Sequence, residues 1–595
     1  MQPFKCVQRG GWILRIISFA SALTIFSAGI LLVESAMAGG TVTSCTEASL
    51  RAAMAGGGTV TFACDGTITL AGTISISLDT AIDGSGHQIT ISGGNAVRVF
   101  YLATNVNFTV VNLTIANGQS TEGAGVFNAG GELAFTGATF LSNIATNGAL
   151  PGTNAASCGG AICNRGGSVV ASHCVFIGNR AFGSSSDSFY SSGFFGVAGG
   201  DGCGAAVYSA GQLGVEGSTF VDNLVQGGVG DVGLGSDSLS PPNYAGAGGS
   251  GNGGAIYILG TASVSDSTFV RNVAAGAVGG SGGMGGMSFM IAGSPGGWGG
   301  AGGSGNGAAL FIGGSVSLVN CTIASNTAAG AAGGQGGNGG FGEFGGSGGW
   351  GGAGGAGFGG LCDAGGLAAI TNCTIALNVS QGGPGGYGGG GGLDPYGNGA
   401  PGANGTAGIA AGGLRTVGGK LLNTLLAANI PTNCSGTVTD AGHNLSSDAS
   451  CAFTGVGSMT NTDPKLGPLA SNGGPTFTMA LLPGSAAIDA GSVAGAPATD
   501  QRGVARSQGP GVDIGAFEFQ YIPVFTQSHF QNATNFWMQM AGLLPNQSFT
   551  VQASSNLLNW FAITNFVAGT NGIFQMVDPP RNGRARFYRV KSGAP

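Results

Sequence analysis

The stretch Gly253–Asn272, GGAIYILGTASVSDSTFVRN, decides the fold, because the chain repeats it seven times in one internal order. Phe140, Phe176, Phe220, Phe269, Ile323, Ile375 and Leu426 hold the same place in each copy. Three residues later each copy has an asparagine: Asn143, Asn179, Asn223, Asn272, Asn326, Asn378 and Asn429. Two residues before the reference place stand Ala138, Cys174, Ser218, Ser267, Cys321, Cys373 and Thr424, all small. Five before it stand Phe135, Ala171, Val215, Val264, Leu318, Ile370 and Leu421, all apolar. Each column pairs with another two residues away, and the phase breaks once between the pairs, at polar residues such as Ser265-Asp266 and Thr371-Asn372. Period two is strand geometry, and a break of phase at polar residues is a corner. Each copy therefore reads as two or three short strands joined by bends. Stacked copies coil into a parallel β-helix, with successive coils about 4.8 Å apart. The asparagines suit tight corners, since Asn tolerates left-handed backbone angles, and stacked they would form a ladder.

Composition narrows the class. Lys5, Arg9 and Arg15 flank the start of an apolar run over 16–33, and Ala36-Met37-Ala38 offers a small-x-small cleavage site, so residues 1–38 read as a secretory leader. No second long apolar run follows, which leaves no membrane span once the leader is removed. Charged residues are 7% of the chain and the net charge is −7, which excludes the basic surface that nucleic-acid binding needs. A chain with 125 Gly invites a disordered reading, but the apolar columns contradict it for the repeats. An exported protein can oxidise its cysteines. Cys45 with Cys64 and Cys434 with Cys451 are plausible local pairs on either side of the solenoid. Cys321 and Cys373 share an inward column, where they either bridge or pack as small buried thiols.

In chain order, residues 39–66 form an N-terminal cap with a helical pattern over 46–54, covering the open end of the solenoid. The β-helix occupies residues 67–462. From Phe140 on, the spacing between copies grows from 36 residues to more than 50, and the surplus always falls between the Asn and the next Gly-rich start. These inserts must emerge side by side on one face. They are built on threes, as in residues 279–287 (GGSGGMGGM) and 345–353 (GGSGGWGGA). A flexible linker is one reading. A strict period of three is instead the polyproline II repeat, and only Gly fits where such helices touch. We read the inserts as a bundle of extended three-fold helices. Third residues, including Met284, Met287, Trp298, Phe341, Trp350 and Tyr387, would then line up on the outside.

The alternation of Gly-Gly-Ala-Ile (Gly159–Ile162, Gly253–Ile256) with Phe-x-x-Asn over 120–430 resembles the repeats of chlamydial-type polymorphic outer membrane proteins, which are β-helical surface adhesins. The terminal membrane barrel of that family has no counterpart after Asn429. Residues 463–520 resemble the choice-of-anchor Q region that closes β-helices in secreted bacterial proteins. The matching words are Asn472-Gly-Gly-Pro-Thr476, Ala487-Ile-Asp-Ala-Gly491, Thr499-Asp-Gln-Arg-Gly503 and Asp513-Ile-Gly-Ala-Phe-Glu518. That resemblance implies terminal coils, export and a surface role without catalysis. Residues 521–595 alternate as strands and are similar to the small fibronectin-like sandwiches that end such proteins.

The fold class expected is all-β: a right-handed parallel β-helix of the pectin-lyase-like kind, with Gly-rich inserts on one face and a small C-terminal β-sandwich. Pectate lyases and polygalacturonases share that solenoid, so a polysaccharide lyase or hydrolase is the alternative function. Such enzymes cluster carboxylates on one strand face, as Ca²⁺ ligands or an acid/base pair, whereas Glu122, Asp201, Asp222, Asp266 and Asp363 are scattered here. Asp83-Gly-Ser-Gly-His87 reads as ordinary turn chemistry, and His173 as an exposed corner residue. The densest charge constellation is Asp489, Asp500, Arg502, Arg506, Asp513 and Glu518. It reads either as a Ca²⁺ site or as Arg–carboxylate pairs fastening the terminal coils; no other cofactor is called for. The favoured function is a non-catalytic, secreted or cell-surface adhesin or envelope scaffold. Its Gly-rich loops would bind glycans or other surface ligands through Trp298, Phe341, Trp350 and Tyr387.

Overall fold

A computed structural model describes residues 39–147, 154–186, 196–235, 244–288, 292–394, 396–531, 535–579 and 586–592; residues 1–38, read from sequence as a leader, lie outside them. In the quoted copy the chain passes through five short strands, Gly251–Asn252, Ile256–Ile258, Thr261–Ser265, Thr268–Val270 and Val273–Ala275. Each pairs in parallel with its counterpart one coil before and one coil after. Val264 sits between Val215 and Leu318, and Phe269 between Phe220 and Ile323. Like lies on like, and the coils build parallel sheets of 20, 11, 7 and 6 strands. The molecule is a parallel β-helix. Three strands of each coil enclose the core, and two further ones, beyond the two or three expected, carry the inserts.

The matched columns are the interior rows. Phe140, Phe176, Phe220 and Phe269 are fully buried and stack face to face, with centroids 4.7, 4.5 and 4.7 Å apart. The small column is buried beside them and links coils: Cys174 N–H donates to Ser218 Oγ at 3.0 Å and Ser218 N–H to Ser267 Oγ at 3.1 Å. Cys321 and Cys373 stay unbridged buried thiols, joined by a 3.4 Å contact from Cys321 N–H to Cys373 Sγ.

The asparagines form one continuous ladder. From Asn143 to Asn429 each Nδ2 donates to Oδ1 of the next asparagine at 2.9–3.0 Å, and Asn429 passes the chain to Asn433. The same amide also donates to the reference-column carbonyl one coil earlier, as Asn223 does to Phe176 O. With the backbone N–H of the preceding asparagine bonded to Oδ1 as well, the buried amide is fully satisfied. The left-handed angle expected of these asparagines belongs to the residue before each one: Ser142, Gly178, Asp222, Arg271, Ser325, Leu377 and Ala428. The asparagine is there for its two-sided amide. At the other corner, where the phase breaks, the left-handed residues are polar: Asp266, Asn320, Asn372 and Asn423, at φ near 50°.

The N-terminal end is covered by the helix Glu47–Met54, capped by Thr46 and turned so that Leu50 and Met54 face the core. The strand Gly58–Phe62, counted with the cap from sequence, already belongs to the first coil, since it pairs in parallel with Thr80–Asp83. Disulfides join Cys45 to Cys64 and Cys434 to Cys451.

Residues 463–519 do not make terminal coils. They turn back and lie along the outer flank of the 11-stranded sheet, over the last four copies. Thr268 Oγ1 donates to Phe477 O, Asn320 Nδ2 to Thr499 O, Asn372 Nδ2 to Asp513 O and Asn423 Nδ2 to Ser492 O. Met479, Leu481, Ala487, Ile514 and Phe517 pack on Ala324, Ala376, Leu425 and Ala427. One outward column shrinks from Leu141, Ile177 and Val221 to Ala324, Ala376 and Ala427 along these coils, which lets the apolar side chains of the flap seat closely against the sheet. The C-terminal region holds two three-stranded antiparallel sheets, Val524–Phe530, Phe536–Ala541 and Phe574–Asp578 against Ser548–Ser554, Phe561–Val567 and Phe587–Ser592. Their core is Met540, Leu543, Phe549, Val551 and Ala568. No helix among the described residues is long and apolar enough to cross a membrane.

Candidate binding face

Each insert leaves its coil through a strand such as Leu224–Gln226 and re-enters through one such as Gly251–Asn252. The two strips lie close enough that only small side chains fit between them, and Ala145, Ala181, Ala205, Val225, Ala274, Ala308 and Ala328 fill that neck. Beyond the neck the outgoing and returning segments are extended and neither helical nor paired as strands, yet they are joined by regular backbone hydrogen bonds.

The order comes from the triplets. Within one layer, the first Gly of a triplet donates to the third-residue carbonyl of the next coil: Gly282 to Gln335 O, Gly336 to Tyr387 O and Gly299 to Trp350 O, each at 2.8 Å. The second Gly donates across to the other layer, producing unbroken transverse chains. One runs Gly405, Gly386, Gly352, Gly334, Gly300, Gly280, Gly246, Asp231, Val197, every link 2.8–3.0 Å. A parallel chain runs Gly402, Gly389, Gly349, Gly337, Gly297, Gly283 one triplet away, about 9 Å along the three-fold helix. The inserts are a two-layer bundle of three-fold helices, outgoing segments in one layer and returning segments in the other.

Glycine dominates two places of three for a steric reason. A Cβ on Gly336, a first position, would lie 2.0 Å from the Gly349 carbonyl of the opposite layer; one on Gly337, a second position, 1.9 Å from Gly283 O of the preceding coil. The remaining direction points off the bundle, so third residues of the outgoing layer cover one face and those of the returning layer the opposite face.

This separates the four aromatic residues singled out from sequence. Trp298 and Trp350 lie together on the returning face, stacked at 5.2 Å and 8°. Tyr244 extends the row, its centroid 5.1 Å from Trp298 and its plane tilted 60°. Tyr244 and Trp298 border a shallow depression floored by Ala247 and Ala301. Phe341 and Tyr387 belong to the outgoing layer and therefore to the other face, two triplets apart along it, with the exposed Met284 and Met287. A single site of Trp298, Phe341, Trp350 and Tyr387 is corrected by this geometry. A period of three predicts which residues face out, but not that the chain reverses inside each insert and presents its second half to the other side. Tyr244 was missed because its triplets, Tyr244-Ala-Gly-Ala-Gly-Gly, are imperfect.

The last returning helix, 399–409, breaks the rule in an informative way. Its second positions, Gly402, Gly405 and Gly408, are retained, but its first positions are Pro401, Asn404 and Ala407, all exposed. In the returning helix before it, side chains at the first positions Gly348, Gly351 and Gly354 would strike the next outgoing helix. Side chains at 401, 404 and 407 thus occupy the seat of a further helix, as edge strands are blunted in sheets. Asn404 Oδ1 also accepts the Gly388 N–H at 2.9 Å.

Elsewhere the ionisable groups are engaged in structure. Asp500 Oδ1 accepts Arg502 and Val504 N–H, while its Oδ2 accepts Arg502 Nε and Glu518 N–H. Glu518 accepts Ser507, Gln508 and Asp513 N–H and Arg506 Nη1. Both pairs are buried, and Arg502 lies 3.6 Å above the Phe517 ring. Burial, reinforced by Glu518, pushes the Asp513 carboxyl up to about 8. With the carboxylates of Asp500 and Glu518 turned to N–H donors, this constellation does not fit Ca²⁺; it fastens the flap. Among the described residues no group of three or more His, Cys, Asp or Glu is arranged to hold a metal ion. Asp83 Oδ1 accepts Ser85 N–H, a turn bond, and His173 is an exposed corner residue at φ 54°. Asp222 is held by Arg271 through two 2.8 Å bonds, and Asp363 by Thr416 Oγ1. One cluster invisible to sequence forms where inserts re-enter: Cys158, Cys163, Cys203 and Tyr208, with Arg165 bridging Tyr208 and Glu122. Burial raises the Cys163 thiol, and the hydrogen bond with Cys158 together with burial raises Cys203, which leaves them as packing rather than nucleophiles.

No family model matches the chain, and no curated protein or solved structure matches it either.

Proposed function

We propose that the protein is an exported, surface-exposed adhesin, a β-helical rod that holds a rigid glycine bundle away from its core and binds neutral surface glycans without catalysis. The observation that carries this reading is the aromatic row Tyr244, Trp298, Trp350. Two indoles stand exposed, with Tyr244 half-buried beside them, on a hydrogen-bonded platform, and among the described residues no acid or base lines the depression at Tyr244 and Trp298, which is the equipment of stacking recognition and not of bond cleavage. The leader-like residues 1–38 and two disulfides support export into an oxidising compartment. The resemblance to surface-adhesin repeats, and of the flap to the choice-of-anchor Q region, agrees with a role at the cell surface. A lyase would need free carboxylates converging on one strand face, and Asp222, Asp363, Asp500 and Glu518 are each committed to a structural partner.

The test is capture of the secreted protein on a glycan array and on whole cells, wild type against Trp298→Ala with Trp350→Ala. Binding lost in the double variant supports the reading, and binding unchanged removes it. Release of unsaturated product from polygalacturonate with Ca²⁺ would replace it with the lyase.

A further inference from the structure

Among the described residues, the aromatic row ends on the side of the last inserts at Trp350. Trp298 has Trp350 stacked on one face and Tyr244 leaning on the other, so a ring on either side partly covers it. Trp350 is covered only on the Trp298 side and is 56% exposed. At the same level of the next returning helix, where Gly351 N–H meets the Ala403 carbonyl, the third residue is Ala403. A row that runs ring, ring, ring therefore ends in a methyl group. The result is a step one ring wide, walled by the free face of Trp350 and floored by Ala403.

Charge and neighbours narrow what fits. No Lys or Arg occurs between Arg271 and Arg415, so the platform carries no cation for a uronate, sialate or phosphate. The third residues flanking the step are Ser347 and Ala353 beside Trp350, and Ala400 and Thr406 beside Ala403; Ser347 and Thr406 bring exposed hydroxyls. A flat ring with one apolar face and a rim of hydroxyls matches that surface. We propose that one neutral pyranose stacks on the free face of Trp350 above Ala403, while Trp298 and Tyr244 hold the indole upright without touching the sugar. This rests on the adhesive reading and specifies its ligand class and its contact.

Ala403→Trp tests it directly. The residue is exposed at a third position, so a larger side chain is sterically tolerated there, and its indole would continue the stack and occupy the step. Binding of methyl β-D-glucopyranoside, methyl β-D-galactopyranoside and methyl α-D-mannopyranoside is measured by saturation-transfer NMR and tryptophan fluorescence, with a methyl glucuronide as the anionic control. At least one neutral glycoside should bind the wild type. Both Ala403→Trp and Trp350→Ala should weaken it about tenfold, whereas Ala403→Ser should leave it unchanged. If Ala403→Trp binds as the wild type does, or the glucuronide binds equally well, the proposal is overturned. Loss of array binding in the Trp298/Trp350 double variant, with Ala403→Trp unaffected, would overturn the stacking site alone and leave the adhesive face standing. A silent array and no pyranoside bound would remove both.

Discussion

Gly337 donates its N–H to the carbonyl of Gly297 at 2.8 Å, joining an outgoing helix of one insert to a returning helix of the insert before it. Neither residue has a side chain, and both are in segments whose composition suggests disorder. The bond exists because Gly297 is itself fixed, donating to Gly283, and the chain of such bonds crosses the whole bundle. Ordering a backbone residue costs about 1–2 kcal/mol. These residues recover it through a cooperative array, not through burial of apolar area.

A Cβ on Gly337 would lie 1.9 Å from the Gly283 carbonyl. Gly337→Ala should therefore break the bundle locally while the solenoid persists. Amide exchange should accelerate across 279–287, 333–341 and 345–353 by orders of magnitude, with protection at 268–270 and 322–324 retained. Asn338→Ala, at the neighbouring third position, should be close to neutral apart from the bond its side chain makes to Gly390 N–H.

The asparagine ladder predicts a large effect from one amide. Asn223→Ala removes the acceptor for Asn179 Nδ2 and N–H and the donor for Phe176 O and Asn272 Oδ1. Buried groups left unpaired cost about 1–3 kcal/mol each, so a loss of about 3 kcal/mol or more is expected. Denaturant titration of the isolated variant checks it, and Asn223→Asp should be worse than Asn223→Ala because it buries a charge.

Acidity should stabilise the flap. Burial raises Asp266 to about 6 and Asp513 to about 8, against ordinary values of 3.8. The folded chain thus holds protons that the unfolded chain releases above about pH 4. The resulting stability is complete below that pH and is lost as pH rises through about 6 for Asp266 and about 8 for Asp513. The thermal midpoint should fall from pH 5 to pH 8, and Asp513→Asn should flatten the upper half of that slope. An equal slope in the variant would show that other groups carry it.

The terminal edge of the bundle should become adhesive to its own kind when unblocked. Among the described residues Gly382 and Gly385 N–H meet no protein acceptor, and Asn404 is the only side chain that caps this row, at Gly388. Replacing Pro401, Asn404 and Ala407 together by Gly opens the seat for a further glycine helix. Light scattering after size exclusion should show concentration-dependent association that the parent chain lacks; a mass distribution equal to the parent's would show that these side chains do not guard the edge.

How far the chain declares itself differs from part to part. The solenoid is written in Gly253–Asn272 and its six relatives: in-register stacking puts identical columns in identical places, so Val264, Phe269 and Asn272 name their own neighbours one coil away. The need for glycine in the inserts is equally local, since a period of three selects the helix type and sterics select the residue. What the sequence by itself determined is every feature that repeats. Tertiary structure alone decided the rest. Each insert reverses direction, so Trp298 and Trp350 face away from Phe341 and Tyr387. Residues 463–519 fold back over the flank of the last four copies, and Asp500, Arg502, Arg506 and Glu518 pair there instead of holding an ion. The physical reason is that a repeat encodes contacts at fixed separation, whereas a reversal and a long-range docking depend on which surfaces remain uncovered after the coils have stacked.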